Sequence, residues 1–260
     1  DFNNNPSEVF MSPINIDKEE LKRYLQMLRP EVADNLKIVM PADMNNGIVY
    51  HIAQNRQKEM FPFISKRQAP SEDNTVPRVH VCASLIGCFR GYATMVETSL
   101  STAPIADKED KRKSEHKSFV DYKGGYYIHE LQVPVALAPT KKLVPDVEQS
   151  EELWLVTYNE LTKSYPAKVI GKLILCEIQF IPQTGQYPNI TTKYAVEVTS
   201  IGGLKLDNRK FLGKGYWMVE TVNDKLVKHY AISKEQFSEI KEFSANLLDH
   251  RDDLPSFLKW

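Results

Sequence analysis

From Lys168 to Phe180 the sequence nearly alternates: Val169, Leu173, Leu175 and Glu177 fall in one register, and Ile170, Ile174, Cys176, Ile178 and Phe180 in the other. Successive side chains of a strand point to opposite faces, so this run reads as one long strand that presents two surfaces. Its backbone groups need partners along both edges. Short runs rich in β-branched and aromatic residues offer them: Ile48–Ile52, Val79–Ala83, Tyr126–Val133, Leu153–Tyr158, Tyr194–Val198, Tyr216–Glu220 and Leu226–Tyr230. The last two flank Asn223-Asp224 and read as a hairpin.

Helical spacing is confined to three places. Asp17 reads as an N-cap, with Glu19 and Glu20 in the favourable first turn and Leu21, Tyr24, Leu25 and Leu28 along one face. Leu85 to Met95 reads as a short helix. Ser233 caps a final helix with the stripe Phe237, Ile240, Phe243, Leu247 and Leu248. Ala42 to Gly47 signals a turn, and Gln54 to Pro77 reads as a polar loop. Gly213-Lys214-Gly215 reads as a turn entering a strand. The expected fold is therefore α+β, a mixed or antiparallel strand-rich core with flanking N- and C-terminal helices and an additional β-rich C-terminal part. The stretch 181–190, with its Pro, Thr and Gly, marks the expected boundary. It gives an N-terminal helical segment 1–46, a core 47–181 with a mobile insertion near 97–124, and hairpins plus a helix over 182–260. The run Asp107 to Lys113 within the insertion mixes both signs and reads as a solvated face.

Hydrophobic residues make up 42% of the 260, enough to bury a substantial core. Lys and Arg number 33 against 34 Asp and Glu, a balance that excludes a general nucleic-acid coat or polybasic membrane binder but leaves room for a local basic patch. No apolar run reaches the roughly 18 residues of a membrane span. The first residues, Asp1 to Pro6, lack the basic flank and apolar stretch of a signal peptide, and a cytoplasmic setting is the expectation. Cys82, Cys88 and Cys176 are too sparse for a disulfide framework; Cys82 and Cys88 read as small core residues rather than a metal pair, since no histidine stands at zinc-ligand spacing from them. Phosphate-loop, dinucleotide-fold, zinc-helix, nucleophile-elbow and EF-hand motifs are all missing from the sequence.

What remains is an ordered set on three strands. Tyr50-His51 is placed at the end of the first. Val79-His80-Val81-Cys82-Ala83-Ser84 forms the second and leads into a helix that carries Tyr92. Glu151-Glu152 stands directly ahead of Leu153-Trp154-Leu155-Val156. This order resembles the ADP-ribosyltransferase fold of the histidine-tyrosine-glutamate type, a family that includes poly-ADP-ribose polymerases, diphtheria-like toxins and rifampin-modifying enzymes. Its members open with a strand reading tyrosine- or tryptophan-histidine-glycine, then serine or threonine. A tyrosine-bearing strand and a helix with a second tyrosine follow, and a glutamate precedes a late strand. Tyr50-His51 matches the first motif, His80 stands for the strand tyrosine, Tyr92 for the helix tyrosine and Glu152 for the glutamate. The match covers residues 47–180. It departs from the family at Ile52-Ala53, where glycine and a hydroxyl residue are usual, and at His80.

The resemblance implies a split sheet, NAD as cofactor, and transfer of ADP-ribose to a cellular or host macromolecule, a protein ahead of a nucleic acid. His51 and Glu152 would be catalytic. Tyr50, His51, His80, Ser84 and Tyr92 would bind NAD, and no metal is expected. A histidine can grip ribose hydroxyls, aromatic rings can flank a nicotinamide, and a carboxylate can stabilise a ribose cation. Two other functions fit the residues. One is a non-enzymatic viral or mobile-element protein that binds and blocks a host macromolecule through exposed strand aromatics (Tyr126, Tyr127, Trp154, Tyr216, Trp217). The other is a nucleic-acid-binding module that uses Lys66-Arg67, Arg78, Lys111-Arg112-Lys113 and Tyr126-Tyr127.

Overall fold

The computed structural model describes residues 18–65, 71–92, 125–145, 147, 151–183, 186–223 and 225–246. Two antiparallel sheets and a few helices build the fold, so the α+β class holds. Among the described residues no helix is long and apolar enough to cross a membrane.

The smaller sheet has four strands in the order β1 (Leu36–Val39), β6 (Ala136–Pro139), β7 (Leu153–Leu155), β4 (Val79–Val81). The larger has six, in the order β14 (Lys225–Ile232), β13 (Gly215–Val222), β10 (Gln186–Val198), β9 (Lys168–Gln183), β5 (Tyr126–Gln132), β2 (Ile48–Ala53). Two short ladders complete the set, β3 (Glu59–Met60) with β8 (Tyr165–Pro166) and β11 (Leu204–Lys205) with β12 (Phe211–Leu212). Among the described residues the two sheets share one backbone rung. Tyr50 of β2 and Cys82, just past β4, exchange backbone hydrogen bonds of 2.8 and 3.1 Å.

The turn before β2 is fixed by conformation. Asn45, Asn46 and Gly47 all have positive φ, at 58°, 54° and 81°, a region that Asn and Gly tolerate and other residues avoid. Gly47 O then accepts from Val133 N at 2.8 Å, which sets the register of β2 against β5. β2 runs on to Ala53, so His51 lies inside the strand rather than at its end.

Helices cover both faces of the large sheet. α3, described over 85–92, packs Leu85, Ile86 and Phe89 against Ile52, Ile128, Leu173 and Tyr194. On the other face α4 (Lys234–Asn246) places Phe237 and Ile240 over Ile174, Ala195 and Met218. Ser233 caps α4 as expected: Gln236 N donates to its Oγ at 3.0 Å and Gln236 Oε1 accepts from Ser233 N at 2.8 Å. α1 (Lys18–Met27) and α2 (Pro30–Ala33) bury Leu21 and Val32 against Leu137 and Trp154 of the small sheet.

The long strand is there, but its faces differ from the simple alternation. Ile170 joins the core of Leu173 and Leu175 instead of the Ile174 side. Opposite β5, Ile128 pairs with Gly171 while His129 pairs with Val169. The extra residue is a bulge that inverts the alternation at Ile170. The expected boundary at 182 falls inside the β9–β10 hairpin, and β10, β13 and β14 extend the same sheet as β2. The expected strand 153–158 stops at Leu155. The segment 54–77 includes β3 and an antiparallel bridge between Phe63 and Arg78. Asp17, Leu247, Leu248, Lys66-Arg67 and the expected insertion near 97–124 lie outside the described residues.

Candidate active site

Strand geometry explains how a site forms at the junction. Val79 and Val81 of β4 and Leu153 and Leu155 of β7 face one core, so Arg78, His80, Glu152 and Trp154 fall on the opposite face. Register then brings them together, because His80 pairs directly with Trp154. His80 Nδ1 hydrogen-bonds to Glu152 Oε1, and Trp154 Nε1 donates to the same oxygen at 3.1 Å. Among the described residues His80 and Trp154 are the partners of Glu152, and no lysine or arginine pairs with it there.

Arg78 is almost completely buried (1% exposed). Its guanidinium lies 3.9 Å from the centre of the Trp154 ring and pairs with Glu72 at 2.6 Å and Asp73 at 3.4 Å. Such a planar cation suits stacking and forked pairing at once. Arg78 is thus a buried positioning group and not the nucleic-acid contact that its charge suggested.

His51 reaches across the split from β2. Its Nδ1 lies 2.6 Å from the backbone oxygen of His80, so Nδ1–H is the donor. Burial lowers the His51 pKa, and the hydrogen bond to His80 offsets this only in part. A neutral His51 with its proton on Nδ1 keeps a lone pair on Nε2, so the ring offers a hydroxyl an acceptor rather than a donor. His80 is also kept neutral: burial first, then the charge of Arg78 and the nearness of the His51 ring, press its pKa down to about 3. Its Nδ1–H therefore donates to Glu152. Behind His51, at the paired position on β5, sits the fully buried His129, whose Nε2 accepts from Gln57 N at 3.0 Å and ties the loop after β2 to the sheet.

His51, His80, Glu152 and Tyr92 line one cavity of about 390 Å³, a common size for a small-molecule site. Phe61 and Phe63, 58% and 61% exposed, form part of its wall. Tyr92 donates its hydroxyl to Ile52 O and sets its ring 5.1 Å from that of Tyr126, so it contributes an aromatic surface more than a polar group.

Two expected cofactor contacts stand elsewhere. Tyr50 is buried in the α3 core, with its hydroxyl accepting from Lys205 N at 3.0 Å. The odd–even alternation of β2 sends it to the face opposite His51. Ser84 is buried at the start of α3, where its Oγ accepts from Gly87 N at 3.2 Å in the manner of an N-cap. Cys82 and Cys88 are buried free thiols, as expected of core residues. Of the aromatics thought to face outward, Tyr126 and Trp154 are buried, while Tyr127, Tyr216 and Trp217 are partly exposed.

No protein-family model matches the chain, no curated protein matches it, and no solved structure matches its fold.

Proposed function

We propose that the chain is an NAD-dependent mono-ADP-ribosyltransferase-like enzyme that modifies a macromolecule, a protein before a nucleic acid. One observation carries the reading. His51, His80, Tyr92 and Glu152 come from four separate segments and line one cavity, and His80 links His51 to Glu152 through its backbone oxygen and its ring. The split between the two sheets, joined at Tyr50 and Cys82, supports it further.

The residues fit the substrate. Nε2 of His51 would accept from a ribose hydroxyl. Tyr92 would offer its ring to the flat nicotinamide. Glu152, oriented by His80 and Trp154 and without a cationic partner among the described residues, would face the positive charge that develops on the ribose as nicotinamide departs. NAD supplies an activated ribose: the bond from C1′ to the nicotinamide nitrogen breaks, its electron pair leaves with nicotinamide, and a nucleophile of the acceptor bonds C1′ and releases a proton. The exposed Phe61 and Phe63 beside the cavity provide an apolar surface suited to a protein acceptor.

Incubation of the purified chain with adenylate-labelled NAD and cell extract tests the reading. Label should enter a macromolecule and be lost with Glu152→Gln. Absence of label from both the extract and the chain itself, together with no NAD binding by calorimetry, would sink it.

A further inference from the structure

Beyond the cavity, Tyr127 stands at the meeting point of three cations. The Arg56 guanidinium lies 5.0 Å from the centre of its ring and the Lys172 amine 5.1 Å. The charge of the Lys241 amine acts on both Lys172 and Tyr127. These residues arrive from separate elements: Arg56 from the segment after β2, Lys172 from β9 and Lys241 from α4. Register and packing hold them in place. Tyr127 pairs with Ala53 on one side and with Lys172 on the other. Lys241 follows the buried Phe237 by one helical turn, so the docking of α4 brings its amine toward the sheet.

The cluster is electrostatically one-sided. Among the described residues, Glu197 of β10, paired with Lys172, is the carboxylate whose charge acts on Lys172, in a chain whose net charge is −1. Partial burial first, and then the charge of Lys241, lower the Lys172 pKa. The Tyr127 pKa is lowered as well, by its hydrogen bond with Arg56 first and by Lys172 next. Two ammonium groups held side by side repel each other, and a multiply charged oxyanion between them turns the repulsion into attraction.

We infer that Arg56, Lys172 and Lys241, gathered around Tyr127, form a binding site for a phosphate or diphosphate group. Its position relates it to the cavity. Residues paired across an antiparallel ladder share a face, as do residues two apart, so His51, His129, Ala53, Tyr127 and Lys172 project from the same side of the large sheet. The Tyr127 row lies one strand repeat from the His51 row, about 7 Å along β2. That is within the reach of one nucleotide. The phosphate can belong to a dinucleotide whose ribose meets His51 or to the backbone of a nucleic acid, and the site itself does not depend on the reading of the cavity.

Calorimetric titration with sodium pyrophosphate tests the site. Saturable binding at one equivalent is expected, weakened by about tenfold or more in Lys172→Gln/Lys241→Gln through loss of charge-assisted hydrogen bonds. Lys37→Gln, on the far edge of the small sheet, should leave it unchanged. Parallel titrations with NAD, nicotinamide riboside and a single-stranded oligonucleotide separate the sources. A double variant that loses affinity for NAD but not for the riboside assigns the diphosphate. Loss confined to the oligonucleotide assigns a nucleic-acid backbone. Pyrophosphate binding by a chain that does not bind NAD upholds the site and removes the transferase reading. No saturable binding, or binding that the double substitution leaves intact (an adventitious ion only), overturns it.

Discussion

His80 and Glu152 lie 72 residues apart in the chain and share a hydrogen bond in the wall of one cavity. Trp154 donates to the same carboxylate oxygen at 3.1 Å. Two donors on one atom fix the carboxylate in place, which suits the role proposed for it opposite a developing positive charge.

On the proposed function, Glu152→Gln is expected to lower ADP-ribosyl transfer by about 100-fold or more. The amide oxygen still accepts from Trp154, so the folded state should persist. NAD affinity should change little, because the lost interaction matters most as charge develops. Single-turnover labelling, with calorimetric NAD binding alongside, separates the two effects. Equal transfer by variant and wild type would remove Glu152 from the chemistry.

Arg78→Met is expected to destabilise the fold by about 3–5 kcal/mol, because it strips Glu72 and Asp73 of their buried cation. Arg78→Lys keeps the charge but loses the planar stack on Trp154 and should fall between the two. Midpoints of urea unfolding measure both, and an unchanged midpoint for Arg78→Met would contradict the role.

Stability should fall with acid. His51, His80 and His129 all have pKa values lowered by burial, His80 to about 3. Below the unfolded value of about 6.5 the unfolded chain binds more protons than the folded one, so the stabilisation is complete above that pH and is lost as pH falls toward the folded values. Thermal melts between neutral and mildly acidic pH should show the decline. His51→Asn, whose amide can still donate to His80 O, should flatten it. A wild-type melting temperature independent of pH over this range would count against neutral buried histidines.

Gly171→Ala should damage the large sheet. A Cβ there would collide with the backbone oxygen of Glu197 on β10, and backbone cannot step aside as a flexible side chain can. A loss of about 1–3 kcal/mol is expected, read from thermal unfolding by circular dichroism. Full stability would show that the two strands are less closely joined than the register implies.

Much of the cavity lining was legible in the order of the chain: His51, then His80, Tyr92 and Glu152, each on or beside a strand or helix. What failed was facing. Tyr50 adjoins His51 in sequence but points into the opposite core, since one step along a strand reverses the side chain. Arg78 carried a charge that suggested solvent, and nothing local announced Glu72, Asp73 and Trp154 as its companions. β1 and β6 escaped notice because Leu36–Val39 and Ala136–Pro139 are four-residue strands with little room for a pattern. The bulge at Ile170 could not be read from β9, since it is defined by the residues of β5 that pair with it.

Among the described residues the two ladders meet at the rung between Tyr50 and Cys82, beside the cavity, and diverge from it. Much of the cavity's width is then an angle between sheets rather than the length of a loop. Substitutions in either ladder that change this angle, even ones far from any lining residue, should retune what the cavity admits. Selection for a new substrate could act on the frame while leaving His51 and Glu152 untouched.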